Sequence, residues 1–333
     1  MRAAFYQRQG PAREVLTVAE IETPTPARGE VLVRVHMSGI NPSDIKNRTG
    51  FLAPMAYDRI IPHQDGAGVI EAVGADVSQA RIGERVWLYE AQWGRANGTA
   101  AEYVALPSER AIALPDNISF ETGAALGVPA LTAHRSLFAD GALPGRHVLV
   151  QGGAGAVGSA AIRLAKWAGA WVAATVRRPE QAAIASKAGA DLVLAMGETD
   201  VAAAIKDATR GAGVDRIVEV ALAENLELDI ACLAVGGSIS SYAAGVAGAR
   251  VEIPNLPMMM SNAGVRFVYV YKMPAEAKQA AIADIGACLA AGAYDPAAAG
   301  LVLPLDRIAE AHEAVETGAA PGKVLIRLAS GER

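Results

Sequence analysis

The chain contains 333 residues, of which 52% are hydrophobic and 20% are charged, and its formal net charge is −5. This length suffices for two domains, and an acidic chain without a basic stripe is not expected to bind nucleic acid. No apolar run reaches the roughly 18–20 residues of a membrane-spanning helix, and the first residues lack an apolar segment of signal-peptide length. Cys232 and Cys288 lie far apart in Ala-rich runs, so we expect two buried free thiols and a cytoplasmic location.

Residues 1–124 predict a β-rich domain. Short β-branched and aromatic runs alternate there with Pro and Gly, which is the pattern of strands separated by turns. The predicted strands include Val31–His36, Gly68–Val73, Arg85–Tyr89 and Glu102–Leu106. Helical patterns follow before Ala125 and over Thr132–Phe138.

From His147 onward, predicted strands and helices alternate. The strands are Val148–Val150, Trp171–Val176, Leu192–Leu194, Arg216–Val220 and Ser238–Ser241, and the helices are Ala156–Ala168, Pro179–Ala188, Val201–Thr209 and Leu226–Leu233. This alternation predicts a parallel, doubly wound sheet. The predicted elements that complete the chain are a strand Val265–Tyr271, a helix Ala275–Ala291, a strand near Leu301–Leu303, a helix Arg307–Thr317 and a strand Lys323–Leu328.

The first strand of this region runs into the spacing Gly153-x-Gly155-x-x-Gly158, which fits the dinucleotide fingerprint. We expect the first glycine to allow a tight turn, the second to let backbone approach a pyrophosphate, and the third to let the helix pack on the strand. The start of the helix directs free N–H groups at the phosphates. A glycine-rich turn without a ligand is the alternative, but the order of strand, turn and helix favours a nucleotide.

The end of the second strand indicates which nicotinamide cofactor is bound. NAD enzymes of this fold carry an Asp or Glu there, whereas this chain has Arg177 and Arg178. Each guanidinium offers a charge-assisted contact to a phosphate, worth about 1.5–3 kcal/mol. A solvated arginine pair is the alternative, and the missing acid favours NADP(H).

Several motifs, taken in order along the chain, resemble the medium-chain dehydrogenase/reductase superfamily. The closest resemblance is to its zinc-independent, zeta-crystallin-like NADPH:quinone oxidoreductases. The matching stretches are Gly39–Asp44 (GINPSD), Asp65–Gly74 (DGAGVIEAVG), Leu126–Ala133 (LGVPALTA), the fingerprint, Ala309–Glu313 (AEAHE) and Gly322-Lys323. They extend to residue 328, so the resemblance covers nearly the whole chain.

The resemblance implies an α/β fold with two domains. A GroES-like β-rich catalytic domain comprises residues 1–124 and 272–333, and a Rossmann cofactor domain comprises residues 125–271, with the active site in the cleft between them. The implied cofactor contacts are Thr132, Gly153, Ala154, Gly155, Ala156, Val157, Gly158, Arg177, Arg178, Asn225, Tyr242, Ala243, Ala244, Gly245, Tyr269, Val270 and Tyr271.

Zinc enzymes of the same superfamily carry ligands at three positions where this chain has Asn41, Gln64 and Val128. Amides are poor zinc ligands and Val is none, so we expect no metal. His63 lies one residue away from a ligand position, and we expect it to line the substrate site instead. Without a Lewis acid, an electron-poor acceptor such as a quinone or a conjugated enone is favoured over an unactivated alcohol.

Three residues are candidates for catalytic roles. Asn41 is expected to donate a hydrogen bond to a developing oxyanion, or else to form a turn before Pro42. Asp44 orients its neighbours or, as we favour, caps a helix beginning at residue 45. Lys323 is implied by the resemblance to face the cleft, with a surface lysine as the alternative. The candidate substrate contacts are Phe51, Tyr57, His63 and Trp93.

The sequence predicts hydride transfer from NADPH to a quinone. Phe51-Leu52 stands where related enoyl reductases carry a proton-donating Tyr, and this disfavours the first alternative, an enone, alkenal or enoyl double-bond reductase. A second alternative is an NADPH-binding protein with little turnover. The apolar strand Val265–Tyr271 would be an aggregation hazard if left exposed, so we expect a homodimer formed through it.

Overall fold

The computed structural model describes residues 1–51, 53–245, 248–294 and 299–328. The chain forms two compact units. The first unit comprises Met1–Val128 and Ala297–Arg333, and the second comprises Pro129–Pro296. The predicted α/β class, with one β-rich part and one parallel-sheet part, is confirmed.

The first unit is built mainly of antiparallel strands. Its elements are β1 Arg2–Phe5, α1 Ala12–Val15, β2 Thr17–Glu20, β3 Glu30–Ile40, α2 Pro42–Thr49, β4 Asp65–Val73, β5 Arg85–Leu88, β6 Tyr103–Pro107, β7 Ala111–Ala113, β14 Ala299–Pro304, α10 Ile308–Thr317 and β15 Lys323–Arg327. Strands β1 and β2 pair with each other in a small sheet of their own. The larger sheet has the order β14-β15-β3-β4-β5-β7, and β6 also pairs with β3. Along β3, Val31, Val33 and Val35 are at most 1% exposed, because alternate side chains of a strand face the same core.

The second unit contains a parallel sheet covered by helices. Its elements are β8 His147–Val150, α4 Ala156–Trp167, β9 Trp171–Val176, α5 Ala182–Ala188, β10 Leu192–Ala195, α6 Val201–Ala208, β11 Val214–Glu219, α7 Leu222–Cys232, β12 Leu233–Ser241, α8 Asn255–Ser261, β13 Gly264–Phe267 and α9 Ala275–Ala290. The strand order is β10-β9-β8-β11-β12-β13. This is the Rossmann order, and it places a topological switch point between β8 and β11.

Helix α3, Phe120–Phe138, carries the chain from one unit to the other. The second unit extends beyond the boundary expected at residue 272, because α9 belongs to it. His134 of α3 and Asp284 of α9 lie 2.7 Å apart, and Cys288 of α9 is fully buried. Both cysteines are free and buried, as expected.

The predicted strand Val265–Tyr271 is wrong in its length. Strand β13 stops at Phe267, and residues Val270–Lys272 form a short 3₁₀ helix. The Val268 N–H still donates to the Ser241 carbonyl at 2.8 Å. After this bond the pairing partner β12 has ended, so the chain turns.

Among the residues that the structure describes, no helix is both long enough and apolar enough to cross a membrane.

Candidate active site

A cavity of about 370 Å³ lies at the carboxyl ends of the strands β8, β9, β10 and β11. Its lining residues are Gln151, Gly152, Thr175, Arg177, Met196, Gly197, Val220, Ala221, Glu224 and Asn225. This edge of a doubly wound sheet is where ligands bind, and the volume is within the range of small-molecule sites. Of the expected cofactor contacts, Arg177 and Asn225 line the cavity.

The glycine-rich turn beside the cavity differs in detail from the sequence expectation. The left-handed backbone conformation lies at Gly152, with φ 72°, and not at Gly153. A Cβ on Gly153 would lie 2.8 Å from the Ala174 Cβ, so this glycine serves close packing. A Cβ on Gly158 would lie 2.2 Å from the Gly152 carbonyl oxygen, so this glycine lets α4 pack directly on the turn, and not on the strand as the sequence predicts.

The start of α4 is suited to an anion. Gly155 precedes the helix and, as a glycine, has no side chain that could cap the first N–H groups. These N–H groups point out of the helix along the positive end of its dipole. The turn residue Ala154 is buried, and Ala156 and Val157, the first residues of α4, are half-buried.

The two arginines after β9 have different surroundings. Arg178 lies 3.2 Å from Glu180 in an exposed ion pair. Arg177 lines the cavity, and its guanidinium has no ion pair within the described part of the chain. The position of Arg177 therefore fits a phosphate on the ribose, whereas Arg178 already has an acidic partner.

The remaining cofactor candidates do not line this cavity. Thr132 is buried within α3. Tyr242, Ala243, Ala244 and Gly245 directly follow β12, and the Tyr242 N–H donates to the Glu219 carbonyl at 3.1 Å. Tyr269 precedes the 3₁₀ helix that contains Val270 and Tyr271, and its ring packs edge-on against the Tyr271 ring at 5.3 Å.

The first unit contains a buried polar cluster around Asp65, at the start of β4. The Lys323 ammonium donates to Asp65 Oδ2 and to Asn41 Oδ1, each at 2.7 Å. The Asn41 amide donates to Asp65 Oδ2 at 2.8 Å, and the Val128 N–H donates to Asp65 Oδ1 at 2.8 Å. The structure thus brings Asn41 and Lys323 together, but both are buried and bonded to each other.

Asp44 caps its helix in a different register from the expected one. Helix α2 begins at Pro42, and Asn41 is the residue before it. The Asp44 carboxylate accepts the Asn41 backbone N–H at 2.7 Å, as the third helical residue does in a capping box. Burial raises the pKa of Asp44 to about 8, and the Asn41 N–H bond opposes this shift.

A bend in α3 brings backbone up to Asp65. Gly127 has φ 5° and ψ −117°, which interrupts the helix. A Cβ at this position would lie 2.0 Å from Asp65 Oδ1. Only glycine leaves room for the carboxylate to accept the Val128 N–H.

His63 was expected to line the substrate site, and this is wrong, because its side chain is 0% exposed. Its Nε2 lies 2.9 Å from His312 Nε2, and its Nδ1 lies 2.8 Å from Ser38 Oγ. Burial lowers the pKa of His63, and burial together with Arg48 lowers the pKa of His312 to about 3. Both rings are therefore neutral.

In this buried network each group donates a hydrogen bond to the next, from Arg48 to the Asp65 carbonyl. Arg48 Nε donates to His312 Nδ1 at 3.3 Å, so the His312 proton lies on Nε2 and is donated to His63. His63 then donates to Ser38, which lies 2.7 Å from Thr99, and Thr99 donates to the Asp65 carbonyl at 2.5 Å. The network connects to the Asp65 cluster and holds His63 at φ 81°, which is strained for a non-glycine residue.

The other substrate candidates lie at two loops that contact each other. The Tyr57 hydroxyl donates to the Gly94 carbonyl at 2.7 Å, next to the half-buried Trp93. Phe51 lies under the Lys46 ammonium, 5.0 Å from the ring centroid. Leu52, part of the departure from the enoyl reductases, lies outside the described residues.

Comparisons with known proteins identify the chain. Residues 27–116 match the alcohol dehydrogenase GroES-like domain, and residues 156–285 match the zinc-binding dehydrogenase family. The chain is 32% identical to a quinone oxidoreductase of Homo sapiens over 334 residues, covering 98% of each chain. It belongs to the quinone oxidoreductases of the medium-chain dehydrogenase/reductase superfamily. The predicted family is thereby confirmed, and as a member of it the chain is an oxidoreductase.

Solved structures of similar proteins agree in fold. The quinone oxidoreductase of Escherichia coli complexed with NADPH has a TM-score of 0.83 and 26% identity, covering 98% of this chain and all of its own. An NAD-dependent alcohol dehydrogenase has a TM-score of 0.86 and 28% identity, covering 99% of this chain and all of its own. The sequence predicts NADP(H) as the cofactor. The complex of the Escherichia coli quinone oxidoreductase with NADPH agrees with this prediction.

Within the described part of this quinone oxidoreductase family member, no group of three or more His, Cys, Asp or Glu side chains could hold a metal ion. Asn41 and Gln64 stand where zinc enzymes of the superfamily carry metal ligands, and in this chain both side chains are hydrogen-bonded to other residues. Gln64 exchanges hydrogen bonds with Gln92, at 3.0 and 3.2 Å.

Sequence reasoning missed several residues of the cavity and of the polar cluster around Asp65. Asp65 stood at the head of a motif used only for the resemblance, and Gln151 and Thr175 stood in or beside apolar strands. A polar residue inside an apolar run is the signal that points to such positions, because a buried polar group needs a partner.

Proposed function

We propose that this oxidoreductase transfers a hydride from NADPH to a quinone or a similar electron-poor acceptor without using zinc. The observation that carries the proposal is the cavity at the carboxyl ends of the parallel strands, where Arg177 stands in place of an acid. The cradle formed by Gly152 and Gly158, and the uncapped start of α4, fit a pyrophosphate.

The dinucleotide supplies the hydride chemistry when bound, and the chain's residues bind and orient it. Arg177 would hold the 2′-phosphate through charge-assisted hydrogen bonds. Gln151, Thr175 and Asn225 line the cavity and offer polar groups of fixed orientation to the ribose. A quinone that accepts a hydride becomes a hydroquinone anion, which water can protonate, so no strong general acid is needed.

The Asp65 cluster supports a mechanism without zinc. Lys323 already supplies a positive charge 2.7 Å from both Asn41 and Asp65. A second cation at Asn41 would be repelled by this ammonium in a medium of low dielectric constant. We propose that Asn41 and Lys323 keep the Asp65 cluster rigid, and that Tyr57 and Trp93 contact the acceptor.

We also propose that the protein is a homodimer of the cytoplasm. Five strongly exposed apolar side chains lie on the neighbouring elements β12, α8 and β13, and we name them the apolar patch: Val235, Leu256, Met259, Met260 and Phe267. Strand β13 ends the sheet of the second unit, so its outer edge is available to a second copy. The two buried free thiols are compatible with a reducing compartment.

The test is the oxidation of NADPH, followed by absorbance, with a small quinone and an α,β-unsaturated ketone in parallel and NADH as the second cofactor. The variant Arg177→Ala should raise the KM for NADPH by about 10–100-fold, since it loses a charge-assisted contact. The KM for NADH should stay within about twofold, because NADH lacks the phosphate. Arg178→Ala is the matched control and should change either KM by less than about threefold.

Each alternative has its own result. Turnover with the ketone alone would identify a double-bond reductase. Tight NADPH binding without oxidation by either acceptor would indicate a binding protein. Equal use of NADH by the wild type would contradict the role of Arg177.

A further inference from the structure

Two acidic side chains lie directly behind the cofactor cavity. Glu219 ends β11 and Asp229 lies in α7, and both residues are 0% exposed. Glu219 accepts the Ala221 backbone N–H and, at 3.1 Å, the Asn225 amide. Asp229 Oδ1 accepts the Gln151 amide at 2.8 Å.

The second carboxylate oxygen of Asp229 has no hydrogen-bond donor beside it that would stabilise a negative charge, among the residues that the structure describes. Oδ2 is buried and receives no N–H or O–H bond from the described residues, and its neighbour is the Glu219 carboxylate. Two ionised carboxylates in hydrogen-bond contact without water repel each other strongly, so one of them holds a proton. Glu219 already accepts two N–H donors that stabilise its charge, which places the proton on Asp229.

This proton determines the orientation of residues that line the cavity. Because the Gln151 amide nitrogen donates to Asp229, its oxygen is free to accept the Thr175 hydroxyl at 2.6 Å. The Thr175 oxygen in turn accepts the Gly152 N–H at 3.2 Å, in the glycine-rich turn. On the other side, Glu219 holds the Asn225 amide. If Asp229 Oδ1 carried the proton instead of Oδ2, the Gln151 amide would have to turn its oxygen toward Asp229, and the Thr175 hydroxyl would lose its acceptor.

We propose that Asp229 is a positioning residue that carries one proton shared with Glu219, and that this proton orients Gln151, Thr175 and Asn225 to bind the dinucleotide. The inference rests on the proposed function for its link to NADPH. The presence of the proton itself does not depend on that link.

The surroundings of this pair make it titrate at mildly alkaline pH, above the pH at which Asp44 titrates. Burial, followed by the charge of Glu219, raises the pKa of Asp229 to about 9. Burial raises the pKa of Cys232 to about 12 and also raises that of Tyr242, which faces Glu219. Lys206 of α6 lowers the pKa of Cys232 and Asp200, which precedes that helix, raises it; Lys206 also donates to the Leu233 carbonyl at 3.4 Å.

The first experiment is infrared spectroscopy of the unliganded protein at neutral pH. The wild type should show the carbonyl stretch of buried protonated carboxyl groups, to which Asp44 and Asp229 both contribute, and the part of the band that disappears as the pH rises through about 9 belongs to Asp229. The isosteric variant Asp229→Asn should lack the part of the band that is lost there. A wild type without such a band, or a variant that retains it unchanged, would overturn the proposal.

The second experiment is a titration with NADPH, followed by cofactor fluorescence, between about pH 7 and pH 10. The wild-type Kd should rise through about pH 9, whereas Asp229→Asn, whose amide permanently donates to Glu219, should keep the neutral-pH Kd throughout. Asp229→Ala, which deprives Gln151 of its acceptor, should weaken binding by about fivefold already at neutral pH.

The outcomes of the two experiments separate the two proposals. A Kd of Asp229→Asn that rises with pH as in the wild type would overturn the positioning role. A wild type that does not bind NADPH at neutral pH would contradict the proposed cofactor, while the infrared band still decides whether Asp229 is protonated.

Discussion

Asp65 and Lys323 form an ion pair from which water is excluded, with side chains 0% and 3% exposed. Removing one partner of such a pair leaves the other charge buried and uncompensated. We expect Asp65→Asn to lower the free energy of unfolding by about 3–5 kcal/mol, measured by urea denaturation. The control is Asp76→Asn, which removes an exposed pair with Arg28 and should cost less than about 1 kcal/mol. Equal effects of the two variants would contradict the importance of the buried pair.

Asp44 gives stability a pH dependence of known sign. Its pKa is raised by burial to about 8 in the folded protein, whereas an unfolded chain loses this proton near about pH 4. Between these values the folded state holds a proton that the unfolded state lacks, so this contribution is present below about pH 4 and is lost as pH rises to about 8. Asp44→Asn should remove this decline.

The measurement is urea denaturation of both proteins at several pH values between about 5 and 9. The difference in unfolding free energy between the variant and the wild type should grow in favour of Asp44→Asn as the pH rises. Asp229→Asn is a useful comparison, because its effect should extend to higher pH. A difference that is independent of pH would show that Asp44 is ionised in the folded state.

At the scale of elements, the start of α4 depends on its contact with the glycine-rich turn. A Cβ on Gly158 would lie 2.2 Å from the Gly152 carbonyl oxygen, and backbone must move to accept it. We expect Gly158→Ala to lower stability by about 1–3 kcal/mol and to weaken NADPH binding at least about tenfold. Thermal unfolding and cofactor fluorescence measure the two effects.

Gly286 provides the control for that substitution. It lies on the exposed side of α9, and a Cβ there meets no atom within 4 Å. Gly286→Ala should therefore raise stability by about 0.5–1 kcal/mol and leave NADPH binding unchanged. If both alanine variants behaved alike, the close packing of α4 on the turn would not be what requires glycine at residue 158.

At the scale of the whole molecule, the apolar patch argues for association of two copies. Phe267 is 70% exposed and Met260 is 76% exposed, although single-chain proteins rarely leave such groups of side chains in water. We expect the wild type to have a dimer mass in light scattering, and Phe267→Glu to have a monomer mass at the same concentration, since a buried unpaired charge at the contact opposes association.

The matched control for the dimer is Ile82→Glu, at an apolar residue that is 47% exposed in the first unit. This variant should keep the wild-type mass. A wild type of monomer mass would contradict the homodimer, and a dimer that persists in Phe267→Glu would place the contact elsewhere on the chain.

The sequence by itself determined most of the elements and the parallel sheet, and it predicted a place for the cofactor. Alternation of apolar residues reports which faces of a strand or helix are buried, and the glycine spacing reports a backbone approach, so both are readable locally. For this reason the parallel-sheet part was predicted correctly, and Arg177 and Asn225 line the cavity at its edge, while their contact with a cofactor stays a prediction.

Only the tertiary structure decided how the polar side chains are paired. Lys323 and Asp65 are 258 residues apart in sequence, and His63 and His312 are 249 apart. Local periodicity carries no information about such pairs, because a buried donor binds whichever acceptor the packing of distant elements brings within about 3 Å. The burial of His63, the shared proton of Asp229 and the separate surroundings of Arg177 and Arg178 all follow from that packing.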